Sequence, residues 1–401
     1  MAKACPTPQP FRAVIGTVVF ITSLFFLMFL GRMIFSPLFP VIQQDPSIGL
    51  KAGQAGSLFF LAALGAFAGS AMAGLLSSRI THRGSLLSSV FLVAATLVAA
   101  YFARSVWSLR AVFLVLGFGS GLHQPSSIAT LTASVRKEDW GRALSIHQLG
   151  PPLSLVAGPL LAVVLLKGFS WNQSLLWIAG ITALIGVGFL VFTGGVGNFP
   201  GDPPSRATLK PVLRTPSFWM LIFLFALGMG AQVGVYALLP LYLHGERGMT
   251  LSSANTLLGL ANIAPLVTVF ISGYVTSRIG EKRTMAGALF LTGVMMVLVG
   301  ALTGVALKVS IVLMAAFAVC FFPPAFAALS RIVQPNYRSL AAAFGPPAGF
   351  MVGGGLLPTL LGYMAQAWSF SAGIMIIGAV IAVGSAVTVG LRLLTNLEEG
   401  C

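Results

Sequence analysis

Acidic side chains are scarce in this sequence: eight of its 401 residues are Asp or Glu, and charged residues of both signs make up only 8%. A soluble fold of this size needs more polar surface than that. With 57% hydrophobic residues, the composition indicates an integral membrane protein. The three cysteines, Cys5, Cys320 and Cys401, suggest no disulfide framework. No nucleophile–base pair, P-loop or metal-ligand cluster is visible, so we expect no enzyme, cofactor or metal site.

Basic residues outnumber acidic ones by 23 to 8, which gives a net charge of +15. They come in twos and threes between apolar runs, without a continuous patch, so nucleic-acid binding is disfavoured. If alternate loops are cytoplasmic, one side of the membrane carries only Lys51, Arg104, Arg110, Lys167, Arg247 and Lys308. By the positive-inside rule, we expect a multi-pass protein of the inner (plasma) membrane with both termini in the cytoplasm.

A ten-residue segment at 74–83 is repeated at 273–282, an offset of 199 residues or half the chain. Each copy is a basic patch between long apolar runs. The runs long enough to cross a bilayer predict twelve helices, at 14–41, 53–77, 85–104, 108–133, 142–166, 172–194, 216–242, 251–276, 284–305, 309–331, 339–363 and 368–393.

The duplication predicts an all-α membrane protein of two pseudo-symmetric six-helix bundles, at 1–194 and 216–401. The Gly- and Pro-rich segment 195–215 between them is expected to be a cytoplasmic linker. Repeated membrane halves of this kind place a binding site between them, which indicates a transporter in contact with the lipid bilayer.

All eight carboxylates fall in predicted loops or tails, which disfavours both cation transport and coupling through a buried carboxylate. Arg32, in contrast, lies well inside the first apolar run, where an arginine costs at least about 2.5 kcal/mol. Its planar fork suits a bound carboxylate or phosphonate. The alternative is that Arg32 snorkels to the outer surface or bonds carbonyls near Pro37 and Pro40.

Two histidines are the other titratable candidates within the predicted spans. His123 lies beside Gln124 in a polar cluster of the fourth span, and His147 lies beside Gln148 in the fifth. Each histidine can bind substrate or take up a proton, because its ordinary pKa is close to physiological pH. The alternative is a neutral histidine bonded to backbone in a packed bundle.

In the seventh span, Gln232 and Tyr236 are one helical turn apart and share a face, so they can supply neutral donors opposite Arg32. Tyr236 is equally compatible with ordinary packing.

The repeated loops resemble the signature motif of the major facilitator superfamily, which implies the fold of that family and a role in gating. The residues that carry the resemblance are Gly74, Ser78, Arg79 and Arg83 in the first copy, and Gly273, Ser277, Arg278, Gly280 and Lys282 in the second. The family has an acidic residue where this chain has Ser78 and Ser277. The resemblance therefore implies a gate held by hydrogen bonds to helix ends, or a weaker gate.

Arg32 ahead of Pro40 resembles the substrate-binding arginine of organophosphate carriers such as the glycerol-3-phosphate antiporters. His147-Gln148-Leu149-Gly150 resembles their fifth-helix His-Asn-x-Gly. The segment around His123 resembles fosmidomycin-resistance-like exporters. Those antiporters have a second arginine in the seventh helix, where this chain has Gln232. The resemblance therefore implies that the substrate is a monoanion or a singly compensated dianion rather than a phosphate ester.

We therefore expect a secondary active transporter of a small organic anion, a carboxylate by preference, which works by alternating access around Arg32. The second hypothesis is an efflux pump for drugs or a phosphonate antibiotic. Transport of the anion is expected to be coupled either to protons, as in a symporter, or to a counter-anion, as in an antiporter. The remaining hypothesis is a transport-inactive sensor or scaffold. We expect a monomer.

Overall fold

The computed structural model describes residues 8–201, 209–333 and 338–393, and they form helices joined by short turns. The first half contains α1 (Phe11–Met33), α2 (Phe35–Gln44), α3 (Ala52–Tyr101), α4 (Val106–Ser134), α5 (Trp140–His147), α6 (Gly150–Leu165) and α7 (Trp171–Phe192). The second half contains α8 (Leu209–Leu213), α9 (Pro216–Met229), α10 (Leu239–Leu241), α11 (Leu251–Ala261), α12 (Ala264–Ile279), α13 (Glu281–Ala301), α14 (Gly304–Val319), α15 (Phe322–Arg331), α16 (Arg338–Phe350), α17 (Leu357–Ala367), α18 (Phe370–Gly384) and α19 (Val387–Gly390).

Eleven helical stretches of the described residues are long and apolar enough to cross a membrane. One of them, α3, has 50 residues and is two helices joined at Thr81, whose φ of 70° and ψ of 165° are not helical. The break falls between the predicted second and third spans, so the structure agrees with the expected twelve helices. The all-α membrane fold predicted from the apolar runs and the repeat is confirmed for the described residues. Both chain ends, 1–7 and 394–401, lie outside the described residues, as does 202–208 of the predicted linker.

The chain divides into two compact units. One comprises Met1–Leu50 and Leu61–Pro204, and the other comprises Lys51–Phe60 and Ser205–Cys401. In the first unit, α1 packs against α4, α5, α6 and α7 and so forms the centre of the bundle. Glycine allows close approach between the neighbouring α3 and α4, because a Cβ at Gly117 would overlap the backbone of Ala62.

Proline residues follow two interruptions of the spans. Pro37 has no N–H to donate to the carbonyl of Met33, and the helix is interrupted one residue later, at Ile34, between α1 and α2. Ile34 keeps helical angles (φ −60°, ψ −26°), so α2 continues the path of α1. In the second unit, the seventh span changes to a π-helix at Gly230–Val235 ahead of Pro240.

The internal repeat extends to individual hydrogen bonds. The hydroxyl of Ser78 donates to the carbonyl of Leu75, and 199 residues later Ser277 donates to Tyr274. Thr81 has a counterpart in Gly280, which adopts nearly the same angles (φ 84°, ψ 163°) at the start of α13. Sequence similarity between the two loops therefore reflects similar backbone structure.

Candidate functional site

Four residues form a stripe along the first span in the first unit: Phe25, Phe29, Arg32 and Ser36. Spacings of four, seven and eleven residues return to the same face of an α-helix. We call this set the α1 stripe. Phe25, Arg32 and Ser36 are buried and Phe29 is half-buried, so this face points into the bundle rather than to lipid.

Arg32 is 5% exposed, and its guanidinium carbon lies 4.7 Å from the centre of the Phe29 ring. Long helical side chains point back towards the N-terminus, which brings the guanidinium from the last turn of α1 over Phe29. The sequence prediction that Arg32 lies inside the membrane-spanning bundle agrees with its burial.

His123 of α4 and His147 of α5 come together around Phe25. The Phe25 ring stacks on His147 with centroids 4.5 Å apart and on His123 at 5.7 Å, and the two imidazoles are 6.3 Å apart. Both histidines are fully buried. The hydroxyl of Ser120 donates to the carbonyl of Met28 at 3.2 Å, which ties α4 to α1 beside this group. We call Phe25, His123 and His147 the histidine cluster.

The hydrogen bonds of the histidine cluster are incomplete within the described part of the chain. Nε2 of His147 lies 3.0 Å from the Ser127 hydroxyl, but its Nδ1 has no partner. Neither ring nitrogen of His123 has one either. The expectation that these histidines bond backbone in a packed bundle is therefore not met. Buried polar atoms of this kind are usually satisfied by water or by a ligand.

The glutamines next to these histidines differ in burial. Gln124 is half-buried, whereas Gln148 is exposed although the adjacent His147 is buried. The turn from His147 to Gln148 directs consecutive side chains to different faces, so the structure brings Phe25 rather than Gln148 against His147.

In the second unit, Gln232 is half-buried and Tyr236 is 4% exposed. Gln232 lies in the π-helical segment Gly230–Val235, and Tyr236 begins a short 3-10 turn. The regular α-helical turn on which their predicted alignment depended is therefore absent from this segment. Their proposed place opposite Arg32 stays a prediction.

The acidic residues lie at helix ends and turns within the described part of the chain, with Asp202, Glu398 and Glu399 outside it. Asp45 follows α2, accepts hydrogen bonds from the backbone and hydroxyl of Ser47, and accepts one from the Trp171 indole at 2.9 Å. The Ser47 hydroxyl first, and then Trp171, lower the pKa of Asp45 below its ordinary value. Glu246 and Glu281 lie at span ends, where Glu281 bonds Arg331 at 2.6 Å.

Basic residues of the repeated loops donate hydrogen bonds to helix ends, while the gating role of these loops stays a prediction. Arg83 donates to the Thr193 hydroxyl at 2.9 Å and to the carbonyl of Leu190 at 2.6 Å, at the end of α7. Its counterpart Lys282 donates to the carbonyl of Val389 at 3.3 Å, at the end of α19. Leu190 and Val389 are themselves 199 residues apart. Arg83 in the first unit therefore makes more hydrogen bonds than Lys282 in the second, and its bonds to Thr193 and Leu190 are shorter than the equivalent bond of Lys282.

The other signature-motif residues of the repeated loops are exposed or half-buried. Arg79 and Gly273 are exposed, and Gly74 is half-buried. Arg278 is also exposed, and its guanidinium lies over the Tyr274 ring at 5.3 Å.

Sequence reasoning missed three residues of the site. Ser36 is fully buried, and its hydroxyl has no partner among the described residues. Phe25 joins the histidines, and Ser127 bonds one of them. The spacing of Ser36 from Arg32 could have identified it, whereas nothing in the sequence distinguishes Phe25 from the other phenylalanines. Within the described residues, no group of three or more His, Cys, Asp or Glu side chains could hold a metal ion.

Several proteins of known function are similar to this chain. A transporter named sugar efflux transporter A, from Dickeya chrysanthemi, is 27% identical over 290 residues, which cover 68% of this chain and 69% of that protein. The 3-(3-hydroxy-phenyl)propionate transporter of Escherichia coli is 29% identical over 189 residues. Those residues cover 44% of this chain and 45% of that transporter, so the chain matches less than half of its length.

Solved structures share the fold at low sequence identity. A POT family transporter in complex with 5-aminolevulinic acid superimposes with a TM-score of 0.80 at 14% identity, over 96% of this chain and 98% of that one. A bacterial homologue of the human lysosomal transporter Spinster, in an inward-facing and occupied conformation, gives a TM-score of 0.77 at 14% identity, over 96% and 97%. The sequence model of the Major Facilitator Superfamily matches residues 21–267 and 246–399, and with that match the chain belongs to this superfamily of membrane transporters.

Proposed function

We propose that this transporter carries a small organic anion, a carboxylate by preference, and that Arg32 binds the anionic group. The observation that supports the proposal is a permanently charged guanidinium, 5% exposed, on the buried face of a membrane-spanning helix. An ionisable residue inside a membrane span is costly, and such residues commonly mark substrate pathways. A guanidinium can bind a carboxylate through two parallel hydrogen bonds.

The other residues of the α1 stripe fit this role. The guanidinium lies over the Phe29 ring in a cation–π contact, and the Ser36 hydroxyl is one turn further along the same face. The similarity to a transporter named for a phenylpropionate, which is a carboxylate, also supports an organic anion. The lack of a second arginine at Gln232 favours a single anionic group.

The test is transport by purified protein in proteoliposomes, with a panel of radiolabelled carboxylates. We expect saturable uptake of at least one acid, and at least about tenfold weaker apparent affinity in Arg32→Lys, because the ammonium keeps the charge but loses the planar fork. Arg32→Gln should weaken it further. Uptake with wild-type affinity in both variants would refute the role of Arg32.

Arg110→Gln is the matched control. Arg110 belongs to α4 of the same unit, and its guanidinium lies 4.4 Å from the Trp107 ring centre, away from the α1 stripe in sequence. Arg110 is half-buried, as is Phe29 of the stripe, but it is not part of the stripe. Its loss removes the same charge and should change the affinity by less than about twofold, because the proposed site does not include it.

Export is the second candidate, and the observation that favours it is the similarity to sugar efflux transporter A. Under this hypothesis the substrate is a sugar, a drug or a phosphonate antibiotic, and Arg32 has a lesser role. Strong competition by neutral sugars or hydrophobic drugs in the same assay, without competition by small acids, would favour export of these compounds over our proposal.

A further inference from the structure

The histidine cluster contains buried hydrogen-bonding atoms that the fold itself does not use. In the described residues, both ring nitrogens of His123 and Nδ1 of His147 are without a hydrogen-bond partner, although both side chains are fully buried. Leaving such atoms unsatisfied is unfavourable. A fold that retains three of them side by side is adapted to a polar group that is supplied from outside the chain.

The cluster and Arg32 lie along the same helix face. Phe25, which stacks on both imidazoles, is seven residues before Arg32, so the two are nearly aligned and roughly 10 Å apart along the helix axis. The guanidinium reaches back over Phe29, which shortens the separation between the charge and the imidazoles. This distance suits the two ends of one small molecule.

The chemistry of the two ends differs. Arg32 is a fixed cation with a fork of donors, whereas a neutral imidazole has one N–H donor and one acceptor. A hydroxyl group both donates and accepts, so it complements either tautomer of His123 and the free nitrogen of His147. Its oxygen carries no charge that would need a counter-ion.

We propose, on the basis of the carboxylate carrier proposed above, that the substrate is a hydroxylated carboxylate whose hydroxyl is bound by His123 and His147. The carboxylate binds Arg32, and the part of the molecule between the two groups lies along Phe25 and Phe29. The site thereby selects a molecule with two polar ends rather than carboxylates in general.

The experiment compares acids that differ only by one hydroxyl. The probes are 3-phenylpropionate with 3-(3-hydroxyphenyl)propionate, and hexanoate with 6-hydroxyhexanoate, each as a competitor of uptake in proteoliposomes and as a ligand of the purified protein. We expect the hydroxylated acid of at least one pair to bind about tenfold more tightly, because without the hydroxyl the buried imidazole nitrogens stay unpaired.

Two variants assign that preference to His123. His123→Phe keeps an aromatic ring and should reduce the preference to less than about twofold while the unhydroxylated acid still binds. His123→Gln keeps a donor and an acceptor and should retain part of the preference. Arg110→Gln, the control already described, should leave it unchanged. If His123→Phe does not fold, His123→Gln alone still tests whether this side chain sets the preference.

Two results overturn the inference. Equal affinities within both pairs in the wild type would refute it, and so would a tenfold preference that persists unchanged in every His123 variant that folds. In either case, the proposed function as a carboxylate carrier would still stand if the acids bind in an Arg32-dependent manner. If no acid binds in an Arg32-dependent manner, the proposed function itself fails.

Discussion

The most direct prediction concerns Thr81, the only non-glycine residue with positive φ in the described part of the chain. Its angles of 70° and 165° lie in a region that glycine tolerates and a β-branched residue does not. Gly280, its counterpart after 199 residues, has nearly the same angles. We predict that Thr81→Gly stabilises the first unit and that Gly280→Thr destabilises the second.

The size of the effect follows from the local contacts. A non-glycine residue in this region costs about 1–3 kcal/mol. Against this, Thr81→Gly loses the hydrogen bond that the Thr81 hydroxyl accepts from the Gly84 backbone, at a cost of a few tenths of a kcal/mol. The greater freedom of glycine in the unfolded chain costs about 0.5–1 kcal/mol. The net stabilisation is about 1 kcal/mol.

Gly280→Thr is a clean reciprocal test because a Cβ at Gly280 meets no heavy atom within 4 Å. The change therefore alters the backbone energy without a clash. Thermal unfolding followed by tryptophan fluorescence in detergent should show a rise of roughly 2–4 °C for Thr81→Gly and a fall for Gly280→Thr. Shifts of the same sign in both variants, or a fall for Thr81→Gly, would refute the strain argument.

Three further predictions concern the hydrogen bonds of Arg83, the Asp45 turn that follows α2, and the histidine cluster. Arg83→Lys should destabilise the protein by about 1–3 kcal/mol, measured as a lower unfolding temperature, because one ammonium replaces a guanidinium that bonds both a hydroxyl and a carbonyl. The pKa of Asp45 is lowered first by the Ser47 hydroxyl, so its contribution to stability is complete above about pH 4 and disappears as the pH falls through the lowered pKa. The melting difference between wild type and Asp45→Asn should therefore shrink in acid. His123→Gln with His147→Gln should abolish accumulation driven by a pH gradient if the pair carries the coupled proton.

The Arg83 prediction has a control within the chain, and the other two have a result that would contradict them. Arg79→Lys changes an exposed arginine of the same loop as Arg83 and should leave the unfolding temperature within about 1 °C, because the exposed side chain contributes little. A melting difference for Asp45→Asn that does not change with pH would contradict the ionic account of that turn. Unchanged pH-driven accumulation in the double histidine variant would assign the proton to another group or to the substrate.

How much of the site could be predicted depends on the kind of residue. Arg32, His123 and His147 were recognisable because polar residues are rare inside apolar spans, and each such exception is costly. Gln232 and Tyr236 were harder, since the predicted alignment assumed a regular α-helix where the chain forms a π-helix. A π-helix depends on how neighbouring helices re-satisfy the backbone, which a single span does not encode.

The sequence by itself determined the membrane class, the twelve spans and the half-chain repeat, because bilayer thickness sets the length of an apolar run and duplication leaves matching residues. Only the tertiary structure decided that Phe25 lies across two imidazoles and that the Ser36 hydroxyl is buried. It also decided that Arg83 and Lys282 hold equivalent helix ends with unequal strength. Phe25 is an ordinary residue in the sequence, and the repeat that contains Arg83 and Lys282 does not reveal which helix ends they bond. These roles arise from packing between helices that are distant along the chain.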